Sequence, residues 1–167
     1  ALMVRSQTKV NRNIIEAGKK LKIIGRAGVG VDNIDVNSAT EKGIIVVNSP
    51  DGNTIAASEH TIALMLAISR NIVPASQSTK EGKWNRDAFT GTELFGKTLG
   101  VMGFGRIGRK VVNIALSIGM KVIVYDPFAN EETVNKACAL YETSLDNFLK
   151  ALDYLSIHIP KTSDTIN

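Results

Sequence analysis

The stretch that most constrains this chain runs from Lys97 to Pro127, KTLGVMGFGRIGRKVVNIALSIGMKVIVYDP. An apolar run, Leu99–Met102, leads into Gly103-Phe-Gly105-Arg-Ile-Gly108. Ile107, Val111, Ile114, Ala115 and Ile118 then recur on one stripe at helical spacing. Gly119 stops that helix, and a second apolar run, Lys121–Tyr125, ends at Asp126-Pro127. The pattern predicts strand, glycine turn, helix and strand, with an acid at the tip of the second strand.

Each residue type in that order has a chemical reason. Gly103 permits the tight turn off the strand, Gly105 lets a pyrophosphate approach the backbone, and Gly108 lets the helix pack close to the sheet. The N–H groups opening the helix at Arg106 and Ile107 face the phosphates, aided by the helix dipole. Asp126 is positioned to accept hydrogen bonds from the adenosine ribose, and its charge repels a 2′-phosphate, which favours NAD over NADP. Three spaced glycines alone can be no more than a turn. Flanked by both strands, the helix and the acid, they indicate dinucleotide binding.

Composition limits the alternatives. With 44% hydrophobic and 22% charged residues among 167, the chain reads as a soluble globular protein able to bury a core. No apolar run approaches the ~20 residues of a membrane span, and the start, Ala1-Leu-Met-Val-Arg5, lacks the basic region of a signal peptide. The net charge of +4 suits anionic ligands. Nucleic acid is not expected, because the basic residues are scattered and aromatics make up 5%. The one cysteine, Cys138, excludes an internal disulfide framework, fits a reducing cytoplasm and is read as a small buried hydrophobe.

Upstream, strand Leu2–Val4, a helix over Asn11–Lys20, strand Leu21–Gly25, helix Val36–Lys42 capped by Gly43, and strand Ile44–Val47 predict parallel strands with crossover helices. The turn-rich loop Asn48–Asn53 marks the boundary between a first domain, residues 1–52, and a second, residues 53–167. Thr54–Gly82 reads as largely helical. Ile62–Ile68, apolar nearly all round, suggests a helix buried on several sides, by a second subunit if not by its own chain. Lys83–Phe95, with Trp84, is an irregular arm, and residues 54–95 together make a candidate dimerisation arm. Downstream lie a short helix Glu131–Lys136, a capping box from Thr143 to Asp146 opening helix Leu145–Leu152, and strand Tyr154–Ile159. The second domain thus shows three strands where a doubly wound dinucleotide domain has about six, and the chain reads as a piece of a longer one.

These residues resemble the D-isomer-specific 2-hydroxyacid dehydrogenases. The resemblance is carried by Val4-Arg-Ser6, Gly25–Asn33 (GRAGVGVDN), Asn48-Ser-Pro50, Ala57–Thr61 (ASEHT), Gly82-Lys-Trp84, Gly100–Gly108 and Tyr125-Asp-Pro127, in family order through nearly the whole chain. It implies a Rossmann-like doubly wound α/β NAD domain, here partial, joined to part of a flavodoxin-like substrate domain. It implies NAD as cofactor, a homodimer or homotetramer, and oxidation of 3-phosphoglycerate to 3-phosphohydroxypyruvate, the first step of serine synthesis.

Site residues follow from the same resemblance. Arg5 and Ser6 match positions that hold the anionic substrate, Arg26 is a phosphate partner, and the loop Gly28-Val29-Gly30 matches one whose backbone N–H groups receive the substrate carboxylate. Val29 stands where relatives carry Thr, so a backbone contact to substrate survives while a hydroxyl contact to nicotinamide does not. Asn53 matches a substrate-loop residue near the domain hinge, and Arg86 a basic residue that reaches the partner subunit's site. Gly103, Gly105, Arg106, Ile107, Gly108 and Asp126 match the pyrophosphate turn and ribose acid, and Ile159-Pro160 a loop beside the adenosine. The family's catalytic Arg, acid and His fall beyond Asn167, so no catalytic residue is assigned here. His60 is read as a helix-surface or subunit-interface residue and His158 as structural. Ser58, Ser156 and Cys138 lack nucleophile context, and no cluster has metal-ligand spacing. Two alternatives stand: a smaller 2-hydroxy acid such as glyoxylate, hydroxypyruvate or lactate, against which Arg5 and Arg26 weigh, and a non-enzymatic NAD-sensing corepressor-like relative.

Overall fold

The structure is a computed structural model that describes residues 1–160 and residue 165. The chain divides into two compact units, Ala1–Thr54 and Ile55–Asn167.

The first unit runs β1 (Leu2–Val4), α1 (Arg12–Ala17), β2 (Ile23–Arg26), α2 (Val36–Glu41) and β3 (Ile45–Asn48). The strands are parallel, in the order β1-β2-β3, with Val4 opposite Arg26 and Arg26 opposite Asn48. Strand alternation puts Val4 and Ile24 into a core with Val10, Ile15, Ala39 and Ile44, while Met3, Ile45 and Val47 are exposed. Side chains cap both helices. Asn11 accepts from Ile14 N–H, and Asp35 accepts from the Ser38 amide at 2.9 Å and hydroxyl at 2.6 Å. Those two bonds hold the Asp35 carboxyl below its usual range. α1 stops at Ala17, short of the expected Lys20, because Gly18 N–H turns back to the Ile14 and Ile15 carbonyls and Leu21 packs at the Gly18 Cα.

The second unit opens with α3 (Thr54–Ser69) and α4 (Ile72–Lys80), broken at Asn71, which takes a left-handed conformation with φ +53°. An arm with one 3₁₀ turn, Asp87–Phe89, leads to β4 (Thr98–Met102), α5 (Arg106–Ser117), β5 (Lys121–Tyr125), α6 (Glu131–Lys136), β6 (Leu140–Tyr141), α7 (Leu145–Lys150) and β7 (Tyr154–Ile157). The sheet is parallel, ordered β6-β5-β4-β7. The chain therefore winds outward from β4 through β5 to β6, then returns to lay β7 on the opposite side of β4. That is the opening order of a doubly wound dinucleotide fold, and it places a topological switch between β4 and β7. Leu99, Val101, Val122 and Val124 from the sheet meet Val111, Val112 and Ala115 of α5 in a closed core.

Several sequence expectations need correction. Among the described residues, the second unit has four strands rather than three. β6 is two residues long, too short to leave a periodic signal. The cap of α7 is Ser144, whose hydroxyl accepts from Asn147 N–H, rather than Thr143 one position earlier. β7 ends at Ile157, two residues before the expected end, as the chain turns into the loop at His158. Cys138 is exposed at φ +60°, in the turn that reverses the chain between α6 and β6, instead of buried. Finally, α3 buries one face only within this chain, through Ser58, Ile62, Met65 and Ser69, whereas Leu64 is 50% and Ile68 75% exposed.

Candidate dinucleotide-binding site

The site in the second unit is assembled where β4 and β5 end. Gly103 leaves β4 with φ +95°, a conformation that favours glycine, and its Cα lies so close to the chain end of β7 that a Cβ would stand 2.7 Å from the His158 carbonyl oxygen. Gly108 is needed for a different reason. A Cβ there would come 2.0 Å from the Gly103 carbonyl oxygen, so only glycine lets α5 pack this tightly on the turn. Gly105 differs from both. It has an ordinary φ of −75°, and a Cβ on it would meet nothing within 4 Å. Its missing side chain is therefore not required by the packing, and the space beside it is open to a ligand.

The helix behind Gly105 has the matching electrostatics. α1, α2, α6 and α7 begin under side-chain caps from Asn11, Asp35, Asn130 and Ser144, but Gly105 brings no side chain to α5. The first-turn amides of a helix have no acceptor inside it, and the dipole makes that end favourable to an anion. Arg106 and Ile107, predicted at the pyrophosphate, are the first two residues of α5, and Arg106 is exposed. These features fit a dinucleotide.

Asp126 follows β5 directly and is half-buried. Its Oδ2 accepts from Phe104 N–H at 2.7 Å and its Oδ1 from Phe128 N–H at 2.9 Å. Gly103 N–H reaches the Tyr125 carbonyl at 2.9 Å. The acid is thus bonded to the glycine turn itself, a role the spacing of the motif does not announce. On the other side, His158 N–H donates to the Met102 carbonyl at 2.7 Å, bringing Ile159 to the mouth of the turn, with Pro160 next in the chain. The structure gathers Gly103, Gly105, Gly108, Asp126 and Ile159 around one turn of backbone. Ser156 and His158 lie at the same strand end, as the expected strand Tyr154–Ile159 implied, and are bonded to each other at 2.8 Å, a tie not anticipated. Their i, i+2 spacing on a strand was the available signal. Burial lowers the His158 pKa below the usual histidine value. His60 is exposed on α3.

The residues predicted for the substrate fall mainly at the carboxyl ends of the first unit's strands, where open parallel sheets bind ligands. Arg5 and Ser6 follow β1 and are exposed. Arg26 ends β2, and its guanidinium lies over Gly28, where a Cβ would stand 2.3 Å from Nη1; Gly28 has φ +155°. Two asparagines that carried no predicted role hold this edge together. Asn33 accepts from Arg26 Nε at 3.2 Å and donates to the Arg5 and Thr8 carbonyls at 3.0 and 2.6 Å. Asn48 donates to the Val29 carbonyl at 2.6 Å, and Ser49 N–H to that of Gly28. Arg5, Arg26, Gly28 and Val29 are therefore linked through one network. Asn53 is exposed in the turn before α3. Arg86, exposed ahead of the 3₁₀ turn, is the one predicted substrate residue in the second unit.

Fold and turn together define a dinucleotide-binding α/β domain. The sequence profile described as D-isomer specific 2-hydroxyacid dehydrogenase, NAD binding domain, matches residues 62–167, and the chain belongs to that family, with NAD as its cofactor. It is similar over its full length to D-3-phosphoglycerate dehydrogenase of Synechocystis sp., at 54% identity, and covers 30% of that protein. It is 50% identical to hydroxypyruvate reductase of Thermotoga maritima over 98% of the chain and 52% of the relative. Among solved structures, D-lactate dehydrogenase from Aquifex aeolicus complexed with NAD and lactic acid superposes with a TM-score of 0.87 at 34% identity, covering 98% of this chain and 49% of that one. The chain thus spans about half or less of the length of these relatives. Among the described residues, no helix is long and apolar enough to cross a membrane.

Proposed function

We propose that this chain forms the NAD-binding part and a portion of the substrate-binding part of an enzyme that oxidises D-3-phosphoglycerate to 3-phosphohydroxypyruvate. The observation that carries the substrate is the network at the first unit's sheet edge. Arg26, fixed by Asn33 and lying on Gly28, and Arg5 beside it offer two cations to a small, doubly anionic molecule. Ser6, Val29 and Asn53 belong to the same reading, with Arg86 reaching a second subunit. When bound, NAD supplies the hydride acceptor. The chain's own residues hold it: the amides at Arg106 and Ile107 on the pyrophosphate, Asp126 on the ribose, Ile159-Pro160 at the adenosine. The Arg, acid and His of the hydride step are expected beyond Asn167. The exposed apolar faces of α3 and α4, with Leu64, Ile68, Ile72 and Val73, support a homodimer or homotetramer, and the single cysteine supports a cytoplasmic protein.

The Thermotoga relative favours a second reading, reduction of an unphosphorylated 2-oxo acid. Calorimetric titration of the 167-residue chain with NAD and NADP, with and without Asp126→Ala, followed by 3-phosphoglycerate and D-glycerate, separates the readings. The expected result is NAD binding weakened by the substitution, preference for the phosphorylated acid, and no turnover. Equal affinity for the two acids would reject the phosphorylated substrate. Turnover would overturn the placement of the catalytic groups. A folded chain, by circular dichroism, that binds neither nucleotide would overturn the cofactor site.

A further inference from the structure

We infer that Ser156 and His158 form a positioning pair that sets the adenosine-side wall of the cofactor site. The pair lies at the topological switch between β4 and β7. Residues 156 and 158 point to the same side of the strand end, and Ser156 Oγ and His158 Nε2 are 2.8 Å apart. His158 is half-buried, and its backbone is engaged from both sides. Its N–H donates to Met102 at 2.7 Å, while its carbonyl presses on the Gly103 Cα closely enough to exclude any side chain there. Ile159 follows at once, and its Cγ2 would stand 3.0 Å from a Cβ on Gly103.

The geometry gives the pair a defined task. Among the described residues the β4–β7 ladder ends at Ile157, and the chain beyond it is held by His158 N–H on the Met102 carbonyl and, at Pro160, by Thr165 Oγ1 donating to the Pro160 carbonyl at 2.6 Å. On the strand side of Ile159 the His158–Met102 bond alone would leave a pivot at this point. The side-chain tie to Ser156 adds a second fixed point, and together they determine where Ile159 and Pro160 emerge over the glycine turn. A neutral imidazole, which its burial favours, can accept from the Ser156 hydroxyl through Nε2. Neither side chain needs to touch the cofactor, so both are positioning residues.

The inference rests on assigning Ile159-Pro160 to the adenosine side of the NAD site. It is tested on the 167-residue chain with Ser156→Ala, His158→Phe, the double variant and His158→Gln, whose amide oxygen reaches about as far as Nε2 and can accept from the Ser156 hydroxyl in its place. Kd is measured for NAD and for ADP, which carries the adenosine half alone, beside a thermal melt. Each single variant is expected to raise both Kd values by a similar factor of about three to ten, the equivalent of one net hydrogen bond. The double variant is expected to be no worse than either single, because the two act as a unit, and Gln is expected to restore affinity. A merely structural role would lower the melting temperature without Gln rescue or a matched loss for ADP, and that result overturns the inference. So do additive losses in the double variant, or unchanged Kd values in folded variants that leave the NAD site itself standing. Failure of the folded unsubstituted chain to bind NAD would overturn the site assignment and this inference with it.

Discussion

Two glycines of one turn are expected to fail in opposite ways when given a methyl group. In Gly108→Ala the new Cβ would stand 2.0 Å from the Gly103 carbonyl oxygen and 3.1 Å from its carbon, where real contacts stop near 3.0 Å. Neither atom belongs to a side chain that could rotate away, so α5 must retreat from the turn by about 1 Å. That retreat loosens the packing of Val111 and Val112 on the sheet. The expected cost is about 3 kcal/mol, the upper end for overpacking, or roughly 10 °C or more in Tm for a unit of this size. In Gly105→Ala the Cβ meets nothing within 4 Å and φ is already ordinary. Folding stability should change by no more than about 1 kcal/mol, the usual cost of alanine at a helix N-cap. NAD affinity should nevertheless fall about tenfold or more, ~1.4 kcal/mol, because the methyl occupies the space left for the pyrophosphate. Urea unfolding and NAD calorimetry on both variants provide the comparison. A Gly105→Ala chain that binds NAD as well as the unsubstituted chain would refute the reasoning, as would a Gly108→Ala chain of undiminished stability.

Three further outcomes are expected. Asn33→Ala removes an acceptor from Arg26 and two donors from the Arg5 and Thr8 carbonyls, and should lower the first unit's stability by about 1–2 kcal/mol, read by amide hydrogen exchange in β1 and β2; unchanged protection there would show that the network does not hold the edge. Because His158 has its pKa lowered in the folded chain, the unfolded chain takes up the proton first as pH falls, so stability is complete above the ordinary histidine value near 6.5 and declines below it; the decline in Tm from pH 7 to pH 5 should be smaller in His158→Gln, and equal slopes would contradict this. Ile68→Lys, on the exposed face of α3, should shift the sedimentation of the chain toward the monomer with little change in the monomer's melt, and an unaltered assembly would remove α3 from the interface.

Residues 97–127 were legible because every local rule there points the same way. The apolar runs are long enough to be strands, the stripe is helical, and Gly103 and Gly108 have conformational and steric reasons while Gly105 leaves open space. Short elements were not. β6 has two residues and follows Cys138 in a left-handed conformation that a cysteine does not signal. The α7 cap was misplaced by one position because Thr143 and Ser144 are both good caps, and only the path of the chain from Tyr141 selects the second. Ile62–Ile68 shows what composition cannot separate. An all-apolar helix reads the same whether its outer face meets its own chain or stays uncovered within it. The asparagines that tie the Arg5–Arg26 edge stayed invisible because hydrogen bonds to carbonyls remote in sequence leave no periodicity to read.

The two amides on the Asp126 carboxylate have a consequence for how such a site can change. A residue that only read the ribose could be exchanged to suit another nucleotide, leaving its surroundings untouched. Here the same oxygens anchor Phe104 N–H and Phe128 N–H, so discarding the charge also strands two donors at the hinge of the turn. Any drift toward a 2′-phosphorylated cofactor has to find a new acceptor for Phe104 N–H first. On the proposed role of Asp126 at the ribose, the choice of nucleotide is tied to the closure of the turn.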